Sequence, residues 1–175
     1  MNDFCNVKKV CGFYISNMHL ATMILPYTNK QLEKGIKFAT LLEYNLKQNI
    51  EVILSRLTLN EESKKEIMKI NWENNLCKYT DIEKFLRAEI KSHKEITILI
   101  SGSENYINIA NQNLNMFIIK NNKKIESKYI KIINCYEVGE FNNNIKEILD
   151  SHDSIINTSG EHKIEEIFEG YSKNA

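Results

Sequence analysis

Apolar runs of four to seven residues recur along this chain between stretches of helical period, and that alternation limits the fold more than any other feature. It is the pattern produced when parallel strands, buried on both faces, alternate with the helices that cover them. The strand candidates are VKKVCGFYI (7–15), KFATLLE (37–43), a short KINW (69–72), ITILIS (96–101), YIKIINCY (129–136) and SIINT (154–158). Such a series predicts an α/β domain with a mostly parallel central sheet between two helical layers.

The helices between the strands carry their own signals. TDIEKFLRAEIKSHK opens with Thr80 and has Glu83 three residues later, a capping-box pattern, with Ile82, Phe85, Leu86 and Ile90 near one face. SENYINIANQNLNMFIIKNN begins at Ser103 and aligns Tyr106, Ala110, Leu114, Phe117 and Ile118. FNNNIKEILDSH places Phe141, Ile145, Ile148 and Leu149 in the same way. Gly35 is expected to end the first helix in a left-handed C-cap, and Pro26 inside that helix to kink it near Leu25. The polar KNNKKIESK (120–128) reads as an exposed loop.

A chain of 175 residues fits one domain spanning 1–175, because folding at this length buries roughly 70% of the surface the unfolded chain exposes. Lysine plus arginine equals aspartate plus glutamate at 23 each, so no long-range positive field draws in a nucleic acid. Cys5, Cys11, Cys77 and Cys135 form no CxxC pair and stand at no zinc-finger spacing from a histidine, which predicts free thiols and no metal site. No run approaches the ~20 apolar residues a membrane helix requires, and no leader pattern opens the chain. A cytoplasmic protein is expected.

In open α/β sheets a ligand sits outside the carboxyl ends of the strands, often against the helix that follows the first one. YISNMHL occupies that place. A phosphate loop there needs glycines to curl amides around the phosphates, a lysine to neutralise them and a hydroxyl for magnesium. Gly12 stands alone, and the first lysine after the turn is Lys30. Losing the lysine and the cradle, at roughly 1.5–3 kcal/mol per charged hydrogen bond, removes orders of magnitude of triphosphate affinity. Ser16 as N-cap and His19 in the first turn leave either a weak anion site or a plain cap beside a solvated ring. The second place to look is the end of ITILIS, where an NTPase carries an acidic magnesium ligand. Here Ser101, Gly102 and Ser103 follow, and Glu104 falls in the first turn of a helix, where its charge suits the macrodipole.

Other chemistry-bearing residues have ordinary readings as well. Cys135, Tyr136 and Glu137 end a strand, but neighbours on a strand point to opposite faces, so at least one of the first two belongs to the core; Tyr136 is favoured toward the site. A Cys135 nucleophile needs a histidine or helix N-terminus to lower its pKa. His152 beside Asp153 fits either a proton relay or a ring bonded to the last carbonyls of a helix. Thr158 or Ser159 in NTSGEHK is placed to cap the last helix, and Trp72 and Tyr79 to form a pocket wall or a homodimer contact.

Three blocks together resemble the MEDS family of sensory domains, a relative of the KaiC branch of the RecA-like ATPases. CGFYISNMHLATMILPYTNKQLEKGIKF resembles the family's opening strand with an aromatic pair and proline-bearing helix. ITILISGSENYI is similar to its central strand and glycine turn, and INCYEVGEFNNNIKEILDSHDSIINTSG to its closing block. Ser103 stands where the family usually has glutamate after the glycine, and Asp153 where it has proline after the histidine.

The resemblance implies a RecA-like three-layer sandwich whose nucleotide machinery has degenerated and whose pocket serves sensing. It implies further that the domain signals through a separate signalling or transcription-regulatory protein, since no output module fits in this chain. Position at the strand ends selects Tyr14, Ser16, His19, Ser103, Glu104 and Tyr136 as residues lining a site for a small ligand, with no catalytic residue and no cofactor. The alternatives are a residual nucleotide-binding protein or weak NTPase, and a scaffold that binds only protein.

Overall fold

The computed structural model describes residues 6–75, 78–139 and 145–173. In chain order these form β1 (Asn6–Tyr14), α1 (Asn17–Glu33), β2 (Lys37–Leu42), α2 (Lys47–Arg56), α3 (Glu61–Met68), α4 (Tyr79–Ser92) and β3 (Glu95–Gly102). There follow α5 (Glu104–Lys120), α6 (Asn122–Ile125), β4 (Tyr129–Glu137), α7 (Ile145–Asp150), β5 (Ser154–Asn157), β6 (Gly160–His162) and α8 (Ile164–Ile167).

The strands make one sheet in the order β2-β3-β4-β1-β5-β6, parallel throughout except for β6, which runs antiparallel to β5. Helices cover both faces, giving the expected three-layer α/β architecture, and the strand order is compatible with a RecA-like sandwich. The sequence follows from the layering. Seven consecutive residues of the central strand β3 are buried, so it carries an unbroken apolar run. The edge strand β2 alternates half-buried and buried residues, because Phe38 and Leu42 point into the α1-side core while Leu41 and its odd-numbered neighbours face the less covered side.

Two cores result. Val10, Tyr14, Phe38, Leu42, Leu99, Ile133 and Cys135 point from the sheet toward α1, α2 and α3. Cys11, Ile98, Ile100, Ile132, Tyr136 and Ile155 point toward α4, α5, α7 and α8. Each buried aliphatic side chain contributes about 1.5–3 kcal/mol, so these two layers dominate the stability. Gly35 closes α1 at φ 73°, and the Ile36 amide donates back to Gln31 at 3.0 Å, which sends the chain directly into β2. Pro26 sits within a helix that continues to Glu33.

Several local expectations are corrected. KINW is not a strand: Lys69 is the C-cap of α3, and Trp72 is buried against Phe38 with its indole N–H donating 2.8 Å to the Ile67 carbonyl. That bond ties the segment to the end of α3 and makes Trp72 core. The capping box at Thr80 does not form, because the cap of α4 falls two residues earlier, at Lys78, and the Tyr79 ring packs on the α5-side core. The 120–128 stretch contains the short α6, whose Ile125 is buried, as is Asn121 before it. Lys163, not Thr158 or Ser159, precedes α8, since 158–159 form the tight turn into the unexpected strand β6. Phe141, Cys5 and Cys77 lie outside the described residues. No described helix is long and apolar enough to cross a membrane.

Candidate functional site

The connection leaving β1 runs to the α1 face, whereas the one leaving β4 runs to the opposite face, so the carboxyl ends of these adjacent strands flank a topological switch point. Register fixes what lies there: Phe13 is level with Tyr136, and Tyr14 with Glu137. Tyr14 and Tyr136 therefore point to opposite faces of the sheet, and the structure does not bring them together.

Tyr14 is 1% exposed in the α1-side core, and its hydroxyl has no hydrogen-bond partner among the described residues. Burial, then the charges of Glu137 and Cys135, push that phenol far above its ordinary range. Tyr136 stacks on Phe13 at 6.0 Å and meets the edge of the His152 ring at 6.2 Å. Burial raises its pKa as well. Neither phenol is disposed to ionise.

Each of the two helix N-termini at the strand ends carries a side-chain cap from the chain itself. Ser16 caps α1 by accepting from the His19 amide at 3.1 Å, and His19 Nδ1 accepts from the Ile15 amide at 3.2 Å. These bonds span only three and four residues, which is why the local sequence foretells the cap. Three apolar side chains, Ile15, Met18 and Val138, are exposed at this mouth beside the exposed Ser16. Gly12 has a packing role rather than a phosphate-loop one: a Cβ there would meet Ile156 Cγ2 at 2.9 Å and Cys135 Sγ at 3.1 Å.

At the second terminus Ser103 caps α5, accepting from Tyr106 N at 3.3 Å, and Glu43 fills what remains. The Glu43 carboxylate, at the end of β2, accepts from the Ser103 amide at 2.6 Å and from Ser103 Oγ at 3.2 Å. Gly102, at φ 147°, is where this carboxylate folds over the backbone; a Cβ would lie 2.6 Å from Glu43 Cβ. The acidic group sought at the end of β3 is thus present at the strand ends but arrives from β2. Its signal in the sequence is the terminal glutamate of KFATLLE. Glu104 takes its expected place in the first turn of α5.

Cys135 is fully buried in the α1-side core, and burial raises its thiol far above the ordinary range; Cys11, buried on the other face, is pushed up to about 12. Neither thiol is suited to act as a nucleophile at neutral pH. His152 is 3% exposed. Its Nδ1 lies 2.6 Å from the Ile148 carbonyl, which can only accept, so Nδ1 carries the proton and Nε2 accepts from Asn134 Nδ2 at 2.9 Å. Asn134 in turn accepts from Asn111 at 2.9 Å, linking α5, β4 and the end of α7 through buried polar groups. Burial lowers the His152 pKa to about 4 against the opposing Ile148 bond. It is a neutral structural histidine in the helix-ending role.

A concavity lies elsewhere, beside β2. A cavity of about 780 Å³ extends from Phe38, Ala39 and Leu41 to Ile70 and Asn71 after α3, and to Ile82, Phe85 and Leu86 on α4. That volume lies within the range of ligand-holding pockets. None of Tyr14, Ser16, His19, Ser103, Glu104 or Tyr136 lines it. Sequence reasoning missed it because an edge exists only once strand order is known.

Asn75 closes the upper part of that edge. Its Oδ1 accepts from the Leu42 amide at 2.9 Å, its amide donates to the Leu42 carbonyl at 2.9 Å, and its Nδ2 donates to the Thr40 carbonyl at 3.2 Å. Tyr106 from the first turn of α5 donates to the Asn75 carbonyl at 2.8 Å. Neither a protein-family model nor a curated protein matches the chain.

Proposed function

We propose that this chain is a non-catalytic sensory or regulatory domain, binding a small ligand or a partner protein and signalling to a separate output protein. One observation carries the reading: the Glu43 carboxylate already sits on the α5 N-terminus at the strand ends. An incoming triphosphate would face that charge, apolar side chains at the mouth of β1, and no lysine close after the first strand. The ordered resemblance to MEDS sensory domains supports the same reading. The cavity beside β2 supplies room for a ligand. A ligand acting there regulates only by favouring one state of the protein over another.

The alternative, a residual nucleotide-binding protein, draws on the RecA-like-compatible strand order and the 17-residue α1 that opens at the end of β1. Thermal melting with ATP and magnesium separates the two. The regulatory reading expects no saturable stabilisation, whereas a nucleotide at 100 times its Kd adds about 2.7 kcal/mol. A saturating shift of that size, abolished by Ser16→Ala together with His19→Ala, overturns the proposal.

A further inference from the structure

We infer that the outer face of α5 is an interface on which a second copy of this chain docks, the two helices packing antiparallel about a two-fold axis. This goes beyond the ligand reading, because the face lies on the side of α5 opposite Leu114, which is buried and lines the cavity.

Every exposed residue of α5 between Glu104 and Lys120 is uncharged: three are apolar, Ile109, Met116 and Ile119, and the rest are amides. The neighbouring helices differ. Among its exposed residues α4 carries Asp81, Lys84, Arg87 and Lys91, and α3 carries Glu61, Glu62, Lys65 and Glu66. A helix face that meets only water interleaves charges in this way. In a chain that is 26% charged, a face without charge along four turns is built for another protein surface.

Spacing identifies that surface as a helix. Asn105, Ile109, Gln112, Met116 and Ile119 follow one another at four, three, four and three residues, the a/d repeat of a helix packed along another helix. Ile109 and Met116 are each 42% exposed and Ile119 73%, so the seam stands in solvent in the single chain. Antiparallel pairing centred at the level of Leu114 sets Ile109 against Ile119 of the second copy, twice, with Met116 against Gln112 between them. Asn108 and Asn115 then flank the seam as a polar rim that has no charge to desolvate.

Charge at the helix ends selects the same arrangement. Glu104 lies in the first turn of α5, while Lys120 in its last turn and Lys123 and Lys124 just beyond are exposed. Antiparallel pairing brings the acidic start of each helix to the basic end of the other and opposes the two helix dipoles. Parallel pairing would set like ends together. A face complementary to itself closes into a two-fold dimer, which is why a second copy is its occupant. One helix face is small beside an interface of about 1,600 Å², so the dimer is weak and depends on concentration.

Sedimentation equilibrium of the full chain, from micromolar to submillimolar concentration, tests this. A reversible monomer–dimer equilibrium is expected. Ile109→Glu and Ile119→Lys, each alone, should weaken association by about tenfold or more, because each dimer would bury two charges against isoleucines. Mixing the two variants should restore it, since one contact then joins carboxylate to ammonium and the other keeps both isoleucines. Hydroxyl-radical footprinting of the unaltered chain decides the matter even if a variant fails to fold. Met116 should become protected as concentration rises, whereas Met18, 40% exposed at the strand ends, should not. A monomer at every concentration, a dimer indifferent to either substitution, no recovery on mixing, or protection of Met18 in place of Met116 each overturns the inference.

Discussion

The carboxyl ends of the strands and the outer side of β2 are neighbouring parts of one sheet, yet they differ in how the chain fills them. At the strand ends a hydroxyl, an imidazole and a carboxylate of the chain bind the Ser16-capped His19 amide, the Ile15 amide and the Ser103 amide. Beside β2, Asn75 holds the backbone of Leu42 and Thr40, and a cavity opens between α3 and α4. The contrast teaches that a fold's customary ligand position can become structural while room for a ligand opens at another part of the same sheet.

If the strand ends are structural, changes there should cost stability, and the largest loss is expected at Gly102. Gly102→Ala places a methyl against Glu43 at a backbone angle that disfavours side chains, so unfolding free energy should fall by about 3 kcal/mol in a denaturant titration. Phe85→Ala, on the half-buried wall of the cavity, should cost no more than about 1 kcal/mol. Equal losses would erase the contrast.

Acid should act elsewhere, first where α7 enters β5. His152 has its folded pKa lowered to about 4 from 6.5, so the unfolded chain takes up the proton first. Stability is then full above pH 6.5 and declines as pH falls toward 4, by roughly 3 kcal/mol at most. His152→Gln should flatten melting temperature across that window. Glu161 acts lower: burial is outweighed by bonds from Lys8, Ser154 and Lys131, holding its carboxyl at about 2, so its contribution is lost only below about pH 4.5.

Glu43→Ala should cost about 2 kcal/mol by leaving the Ser103 amide and hydroxyl at the start of α5 without their anion, with Glu43→Gln intermediate. The smallest effect is expected at Tyr14. Its buried hydroxyl has no partner among the described residues, so Tyr14→Phe should be neutral or stabilise by up to about 1 kcal/mol. A clear loss in calorimetry would mean that the hydroxyl has a partner and that the strand ends hold an occupant.

The alternation of strands and helices was legible because period-two and period-3.6 patterning are local properties. So were the caps at Ser16 and Ser103, whose bonds close within three residues. Contacts across the sheet were not. Glu43 reaches Ser103 over 60 residues, and the opposed faces of Tyr14 and Tyr136 depend on a register between β1 and β4 that no single segment encodes. KINW misled because an apolar pair beside a helix end resembles a short strand until the Trp72 indole finds the Ile67 carbonyl. Asn75 carries no mark in the sequence that separates it from Asn74.

An edge strand is also where chains of the same kind stick together, and Asn75 guards part of this one. Cutting Asn75 back to alanine would strip its side-chain bonds from the Leu42 amide and the Thr40 carbonyl, leaving the Leu42 carbonyl to the Asn75 backbone amide. One amide side chain thus helps set how much of the edge is available for runaway self-association.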